Sequence, residues 1–244
     1  MKKIYEIEID KKGIFLERPN RFVAQVKIDD EEVTCHVHDS GRIKELLYKG
    51  NEVGIKKAKD TAKRKTQWDL ICATTPEKDE EILLNTAYHR YISENLIKDF
   101  SISPFGKVDT IKAEVKNGES RLDYLLTKDG KNIWVEVKGV SLSIDKVAMF
   151  PDAPSTRACK HLKELMKIKE SGDRAAILLL VFRESKSFRP KYETDPEFSK
   201  LFYEAIKAGV EVYPVQFCLK DGSIYYSNNE IEVLNIWYCK WCGY

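Results

Sequence analysis

The 244-residue chain is 43% hydrophobic and 33% charged, with 41 basic against 39 acidic side chains and a net charge of +2. That apolar content excludes a disordered chain and suits one large domain or two modest ones. The longest clean apolar run, Ala175 to Phe182, falls far short of the roughly 20 residues a bilayer needs, and the near-zero net charge names no partner.

The opening MKKIYEIEID has lysines but no apolar segment behind them. It does not read as a secretory signal, and the expected compartment is the cytoplasm. Short strands follow: Lys3 to Ile9, Ile14 to Glu17, Phe22 to Ile28, Val33 to Val37, Glu52 to Ile55, Gln67 to Ala73 and Ile82 to Leu84. Asp10-Lys11-Lys12-Gly13 reads as a turn, and Asp29-Asp30-Glu31-Glu32 as a hairpin link. Many short strands at this spacing predict a small OB-like β-barrel over residues 1–84. Its run Lys56-Lys57-Ala58-Lys59-Asp60-Thr61-Ala62-Lys63-Arg64-Lys65 leads into Thr66-Gln67-Trp68. A basic loop beside an aromatic reads as a surface that tracks phosphates, extended by Arg21 and Arg42. The competing reading is an ordinary solvated loop.

The pattern changes at Asn85, and residues 85–244 read as an α/β domain on a mixed central sheet. Thr86 to Lys98 has Tyr88, Ile92 and Leu96 at helical spacing, with Asn85 or Thr86 as cap. Arg121 to Thr127 and Asn132 to Val140 are strands around Lys128-Asp129-Gly130-Lys131. Ser155 to Ser171 is a helix with Ala158, Leu162, Leu165 and Ile168 on one face and Gly172 as its stop. Ala175 to Phe182 is a buried central strand. Asp195-Pro196 opens a helix that turns Phe198, Leu201, Phe202, Ala205 and Ile206 inward and ends at Gly209, before a strand from Val210 to Leu219.

The hairpin centred on Asp129-Gly130 carries the chemistry. Its register pairs residues whose numbers sum to 259, so Leu122, Tyr124 and Leu126 face Val137, Val135 and Ile133 on an apolar side. The other side pairs Leu125 with Trp134, Asp123 with Glu136, and Arg121 with Lys138. Opposed carboxylates repel unless a cation, a raised pKa or a metal offsets them. A hard divalent cation such as Mg²⁺ (or Mn²⁺) suits Asp123 and Glu136 as ligands. Lys138 would then orient or deprotonate a water, or stabilise the charge developing in phosphodiester attack. The spacing acid-x-Lys alone carries little, since it recurs at Asp10, Glu114, Asp129 and Glu184. Only the Glu136 copy lies in an apolar strand with an aspartate opposite. The competing reading is a solvated sheet face with ordinary ion pairs.

Several stretches together resemble the sugar fermentation stimulation protein A family. They are Asn20-Arg21-Phe22, Gly41-Arg42-Ile43, Arg64-Lys65-Thr66, Asn85-Thr86, Ser120-Arg121-Leu122-Asp123-Tyr124, Glu136-Val137-Lys138-Gly139-Val140, Phe150-Pro151-Asp152-Ala153, Thr156-Arg157, His161-Leu162 and Asp195-Pro196. They run in family order from about Ile14 to Leu219. The resemblance implies an N-terminal OB-like β-barrel followed by a restriction-endonuclease-like domain of the PD-(D/E)xK type. It also implies DNA binding without sequence preference, and a regulatory role in sugar (maltose-type) metabolism as the alternative to catalysis. The nuclease signature falls on Asp123, Glu136 and Lys138, with Leu122 where the broad signature has proline. Asp39-Ser40 precedes Gly41-Arg42 where the family pattern has a different pair.

Nuclease folds of this type often add an acid from the first helix, which points to Glu94, although an ion pair with Arg90 or Lys98 competes. Asp152 is a second auxiliary candidate. Arg157 and His161 share a helical face and read as structural support with some phosphate contact. Cys35, Cys72, Cys159 and Cys218 are scattered singly and read as small hydrophobes. Cys239-Lys240-Trp241-Cys242 lacks the second ligand pair of a zinc site and reads as a packed or frayed tail.

Overall fold

The computed structural model describes residues 1–39, 41–59, 64–118 and 120–235. The chain forms two compact units. The first holds Met1–Asn95, Phe182–Glu184 and Phe217–Asn228. The second holds Leu96–Val181, Ser185–Gln216 and the described residues from Asn229 onward. The first unit thus includes two later pieces of chain that a single cut after residue 84 would assign elsewhere.

The first unit begins with β1 (Lys2–Glu6), β2 (Lys11–Asn20), β3 (Val23–Ile28), β4 (Glu31–His36), β5 (Glu52–Lys57), β6 (Trp68–Thr74) and β7 (Glu81–Leu83). Strands β4-β3-β2-β5-β6 pair antiparallel, and a parallel β4–β6 contact at Cys35↔Trp68 and His36↔Asp69 closes them into a five-stranded barrel. Closure leaves these strands no open edge. Alternation sends Ala24, Val26 and Ile28 of β3 inward.

The expected turn at Lys11-Lys12-Gly13 is instead the start of β2, paired with Ile55, Gly54 and Val53. Gly13 serves close approach rather than a turn. A Cβ there would lie 2.6 Å from Val26 Cγ1 and 2.8 Å from the Lys27 carbonyl oxygen. A 3₁₀ turn over Thr86–Tyr88, capped by the Asn85 side chain, precedes α1 (His89–Lys98), so the α-helix starts later than its apolar spacing predicts.

The second unit continues with β8 (Thr110–Asn117), β9 (Ser120–Lys128), β10 (Lys131–Val140), β11 (Leu142–Ile144), β12 (Val147–Phe150), α2 (Thr156–Glu170), β13 (Arg174–Val181), β14 (Ser187–Pro190), α3 (Pro196–Lys207) and β15 (Glu211–Lys220). Its main sheet runs β8-β9-β10-β13-β15, antiparallel on the β8–β9–β10 side and parallel from β10 to β15. This is the mixed sheet the sequence predicts. From Phe217 onward β15 belongs to the first unit, where it forms a hairpin with β16 (Ser223–Tyr226), and β16 pairs with β1. The last strand, β17 (Glu232–Val233), joins a small second sheet ordered β11-β12-β14-β17.

Helix α2 starts at Ser155, whose hydroxyl accepts from the Ala158 N–H at 3.1 Å. It packs Ala158, Leu162, Leu165 and Ile168 on the apolar β13 face of Ala175, Ile177, Leu179 and Val181. Helix α3 is capped by Asp195 and buries Phe198, Leu201, Phe202 and Ala205 as expected. Ile206 departs from expectation at 36% exposed. Tyr203 takes the buried place at the stripe's margin, because its hydroxyl reaches the Leu234 carbonyl at 2.9 Å.

Candidate functional site

The β9–β10 turn places Asp129 at φ 50 and Gly130 at φ 72, the left-handed pair a tight hairpin needs. The register follows the predicted sum from Lys128↔Lys131 through Tyr124↔Val135. The ladder then stops, so Asp123 and Glu136 are not a regular ladder pair as the arithmetic suggests. Asp123 Oδ2 instead accepts the Val137 N–H at 2.6 Å, replacing a main-chain bond with a side-chain one. Leu122 packs into the same core cluster as α2.

Glu136 is only 2% exposed, which removes the reading of a solvated face. Its Oε1 meets both Lys138 Nζ and His161 Nδ1. Its Oε2 is buried and has no hydrogen-bond partner among the described residues. Burial pushes the Glu136 pKa up, but the His161 hydrogen bond and the Lys138 charge outweigh it and hold the carboxyl below its ordinary value. Asp123 goes the other way. Burial, then the neighbouring Glu136 charge, raise it to about 6. One carboxylate is charge-compensated and the other is not.

His161, expected as structural support with some phosphate contact, is 5% exposed, and its Nδ1 meets Glu136 Oε1. A signal was present in the sequence, because His161 lies three residues after Ala158 and four before Leu165, on the buried stripe of α2. Arg157, one turn earlier, is exposed. Arg121 is exposed on β9, 4.0 Å from Glu114 Oε2. Glu114 is one of the acid-x-Lys copies whose spacing alone carries little. It lies on β8 between the pairs Ala113↔Tyr124 and Val115↔Leu122, at φ 55, and its charge adds to those raising Asp123. Asp152 is half-buried after β12, and Glu94 is half-buried on α1 in the first unit.

The basic residues of the first unit do not form a uniform solvated run. Arg21, Arg42, Lys57 and Lys65 are exposed. Lys56 is half-buried with its Nζ 2.5 Å from Glu8 Oε2. Arg64 donates to Asp69 Oδ1 at 2.5 Å, to Thr66 Oγ1 and to the Trp68 carbonyl. Lys63 lies outside the described residues, as does the Cys239–Cys242 tail. Cys35, Cys72 and Cys159 are buried free thiols, and Cys218 is a half-buried one. No helix among the described residues is long and apolar enough to cross a membrane.

Residues 16–84 match the family model described as the SfsA N-terminal OB domain, and residues 84–223 match the sugar fermentation stimulation protein RE domain. The sugar fermentation stimulation protein homolog of Thermosipho melanesiensis is 41% identical over 96% of this chain and 99% of its own. That of Methanococcoides burtonii is 40% identical over 91% of this chain and 92% of its own. A solved structure described as Pyrococcus furiosus SfsA in complex with Ca²⁺ superposes with a TM-score of 0.87 at 30% identity, covering 96% of this chain and 100% of that one. An OB barrel followed by an RE-type domain, matched along nearly its whole length, makes this chain a member of the sugar fermentation stimulation protein (SfsA) family.

Proposed function

We propose that the chain binds DNA through its phosphate backbone, without sequence preference, and cleaves phosphodiesters at Asp123, Glu136 and Lys138 with a divalent cation. The observation that carries this reading is the buried, unpartnered Oε2 of Glu136 beside a second, half-buried carboxylate, Asp123. Such an orphaned oxygen costs folding energy unless a ligand satisfies it. The donors are oxygens only, which suits a hard cation. No group of three or more His, Cys, Asp or Glu side chains among the described residues is arranged to hold a metal. Two carboxylates with water and substrate phosphate completing the shell is the usual Mg²⁺ arrangement. The Ca²⁺ in the Pyrococcus furiosus structure supports divalent binding on this fold.

When bound, Mg²⁺ or Mn²⁺ would supply Lewis-acid polarisation of the phosphate and an acidified water. Asp123 and Glu136 would hold it. Lys138, two residues along the same strand face, carries a cation for the charge that develops on the phosphate. His161 is a positioning residue that fixes the Glu136 carboxylate. The exposed Arg21, Arg42, Lys57, Lys65, Arg121 and Arg157 are the candidate phosphate contacts.

Incubation of supercoiled plasmid with Mg²⁺ or Mn²⁺ tests the reading. Nicking by the wild type, lost in EDTA and in Glu136→Ala, is the expected result. No nicking, or equal nicking by the variant, overturns the catalytic claim. A second reading, a non-catalytic DNA-binding regulator, is favoured by the two donors already on Glu136 Oε1, which compensate that charge without a metal. It expects binding that falls steeply with salt and survives Glu136→Ala.

A further inference from the structure

The barrel carries an aromatic stack at its β2–β3 end. Phe22 is 49% exposed, with one ring face on His36 at a centroid separation of 6.5 Å and an interplanar angle of 16°. His36 in turn meets the edge of His38 at 4.4 Å. His38 Nε2 lies 3.2 Å from Asp69 Oδ1, which also holds Arg64. The stack is therefore anchored from behind rather than loose. Burial lowers the His36 pKa from its ordinary value, reinforced by the nearby Arg64 cation.

The half-buried Arg18 ties together the backbone segments that carry Arg21 and Arg42. The Arg18 guanidinium donates to the carbonyls of Gly41 at 2.7 Å and Arg42 at 3.0 Å through Nη1, and to those of Arg21 at 2.6 Å and Asp39 at 2.7 Å through Nη2. Two chain segments converge on it, and each carries an exposed arginine, Arg21 or Arg42. The Phe22 N–H is fixed by Asn20 Oδ1 at 2.9 Å and its carbonyl by the Val37 N–H at 2.9 Å. The ring thus stands on a fixed backbone, next in sequence to Arg21 and on the same carbonyl framework that carries Arg42.

We propose that Phe22, backed by His36 and flanked by Arg21 and Arg42, is a stacking platform for an unpaired base of single-stranded DNA. This rests on the DNA-binding reading above and gives it a preferred substrate. A flat ring with a backed face and flanking arginines matches the two parts of a nucleotide, base and phosphate. In a duplex each base face is covered by its neighbours, so only an unpaired base offers a face to Phe22. A protein partner is the weaker fit, because the chain leading into the exposed ring, Asn20 and Arg21, is exposed and polar rather than an apolar patch.

The test is fluorescence anisotropy of the full chain in EDTA, with a labelled 12-nucleotide single strand and the matching 12-base-pair duplex. Phe22→Ala should weaken single-strand binding by roughly tenfold or more and leave duplex binding within about twofold, as expected for loss of one stacked base. Phe22→Trp should restore single-strand affinity. Loss of both probes alike in Phe22→Ala, or unchanged single-strand binding, overturns the platform while the DNA-binding reading stands. Failure of the wild type to bind either probe overturns both.

Discussion

His161 on α2 and Glu136 on β10 meet through Nδ1 and Oε1, and neither side chain is more than 6% exposed. A helix packed over a sheet thus fixes the orientation of a carboxylate 25 positions earlier in the chain.

Removing that partner should cost both stability and turnover. His161→Ala leaves a second Glu136 oxygen dependent on Lys138 alone, and should destabilise the fold by about 1–3 kcal/mol. Urea denaturation reads the first effect. Plasmid nicking should fall more in kcat than in KM, with partial recovery in His161→Asn. Unchanged kcat in a folded His161→Ala protein would remove its positioning role.

Asp123 should burden the metal-free protein. Its folded pKa of about 6 lies above the ordinary 3.8, so the ionised form is disfavoured on folding. The penalty is absent below pH 4, grows as pH rises, and is complete above pH 6. Asp123→Asn should therefore raise stability in EDTA at pH 7 by about 1–3 kcal/mol and have little effect at pH 4. Ca²⁺ should raise the melting temperature of the wild type and leave that of the same variant unchanged. Thermal melts at both pH values, with and without Ca²⁺, check both halves.

Asp69 behaves in the opposite sense. Burial raises its pKa, but hydrogen bonds from His38 and Arg64 prevail and bring it to about 2. Its stabilisation is present above pH 3.8 and is lost as pH falls through 2. Asp69→Asn should cost about 1–2 kcal/mol at pH 7 and progressively less between pH 4 and pH 2. An equal loss at both ends of that range would contradict the assignment.

Asp195 joins two helix starts. Its Oδ1 accepts the Phe198 N–H at 2.9 Å to cap α3, and its Oδ2 accepts the N–H of Ser155, the α2 cap, at 2.9 Å. Asp195→Ala should cost about 2 kcal/mol or more, against about 1 kcal/mol for Ser155→Ala. The double variant should lose close to the sum, because Ser155→Ala removes only the hydroxyl and keeps the main-chain N–H that Asp195 accepts from. Urea midpoints of the three proteins decide it.

The carboxylate hairpin was legible because its signals are local. Asp129-Gly130 fixes the turn, and period-two alternation fixes the register as far as Tyr124↔Val135. The end of that ladder was not legible, since the Asp123 bond to the Val137 N–H depends on a side chain displacing a main-chain partner. Strand β8 carries little signal in the sequence, because its alternating exposed lysines and glutamate resemble a solvated segment. Strands β11, β12, β14 and β17 are two to four residues long and are defined by what they pair with, not by their own pattern. The role of His161 depends on a partner in another element, so its place on the apolar stripe was visible but its contact was not. Phe22 gave only an isolated aromatic; its stack with His36 exists because β3 and β4 pair Val23 with His36.

Arg18 separates shape from charge at the barrel's arginine-bearing end. Its guanidinium donates to four backbone carbonyls, and that hold does not depend on which side chains stand at positions 21 and 42. Natural or laboratory variation can therefore rewrite the electrostatics of this end, even to acidic residues, while the scaffold survives. The reverse does not hold: lysine at position 18 offers one ammonium where a planar fork now spans four carbonyls, and it would leave the charges in place with nothing to aim them.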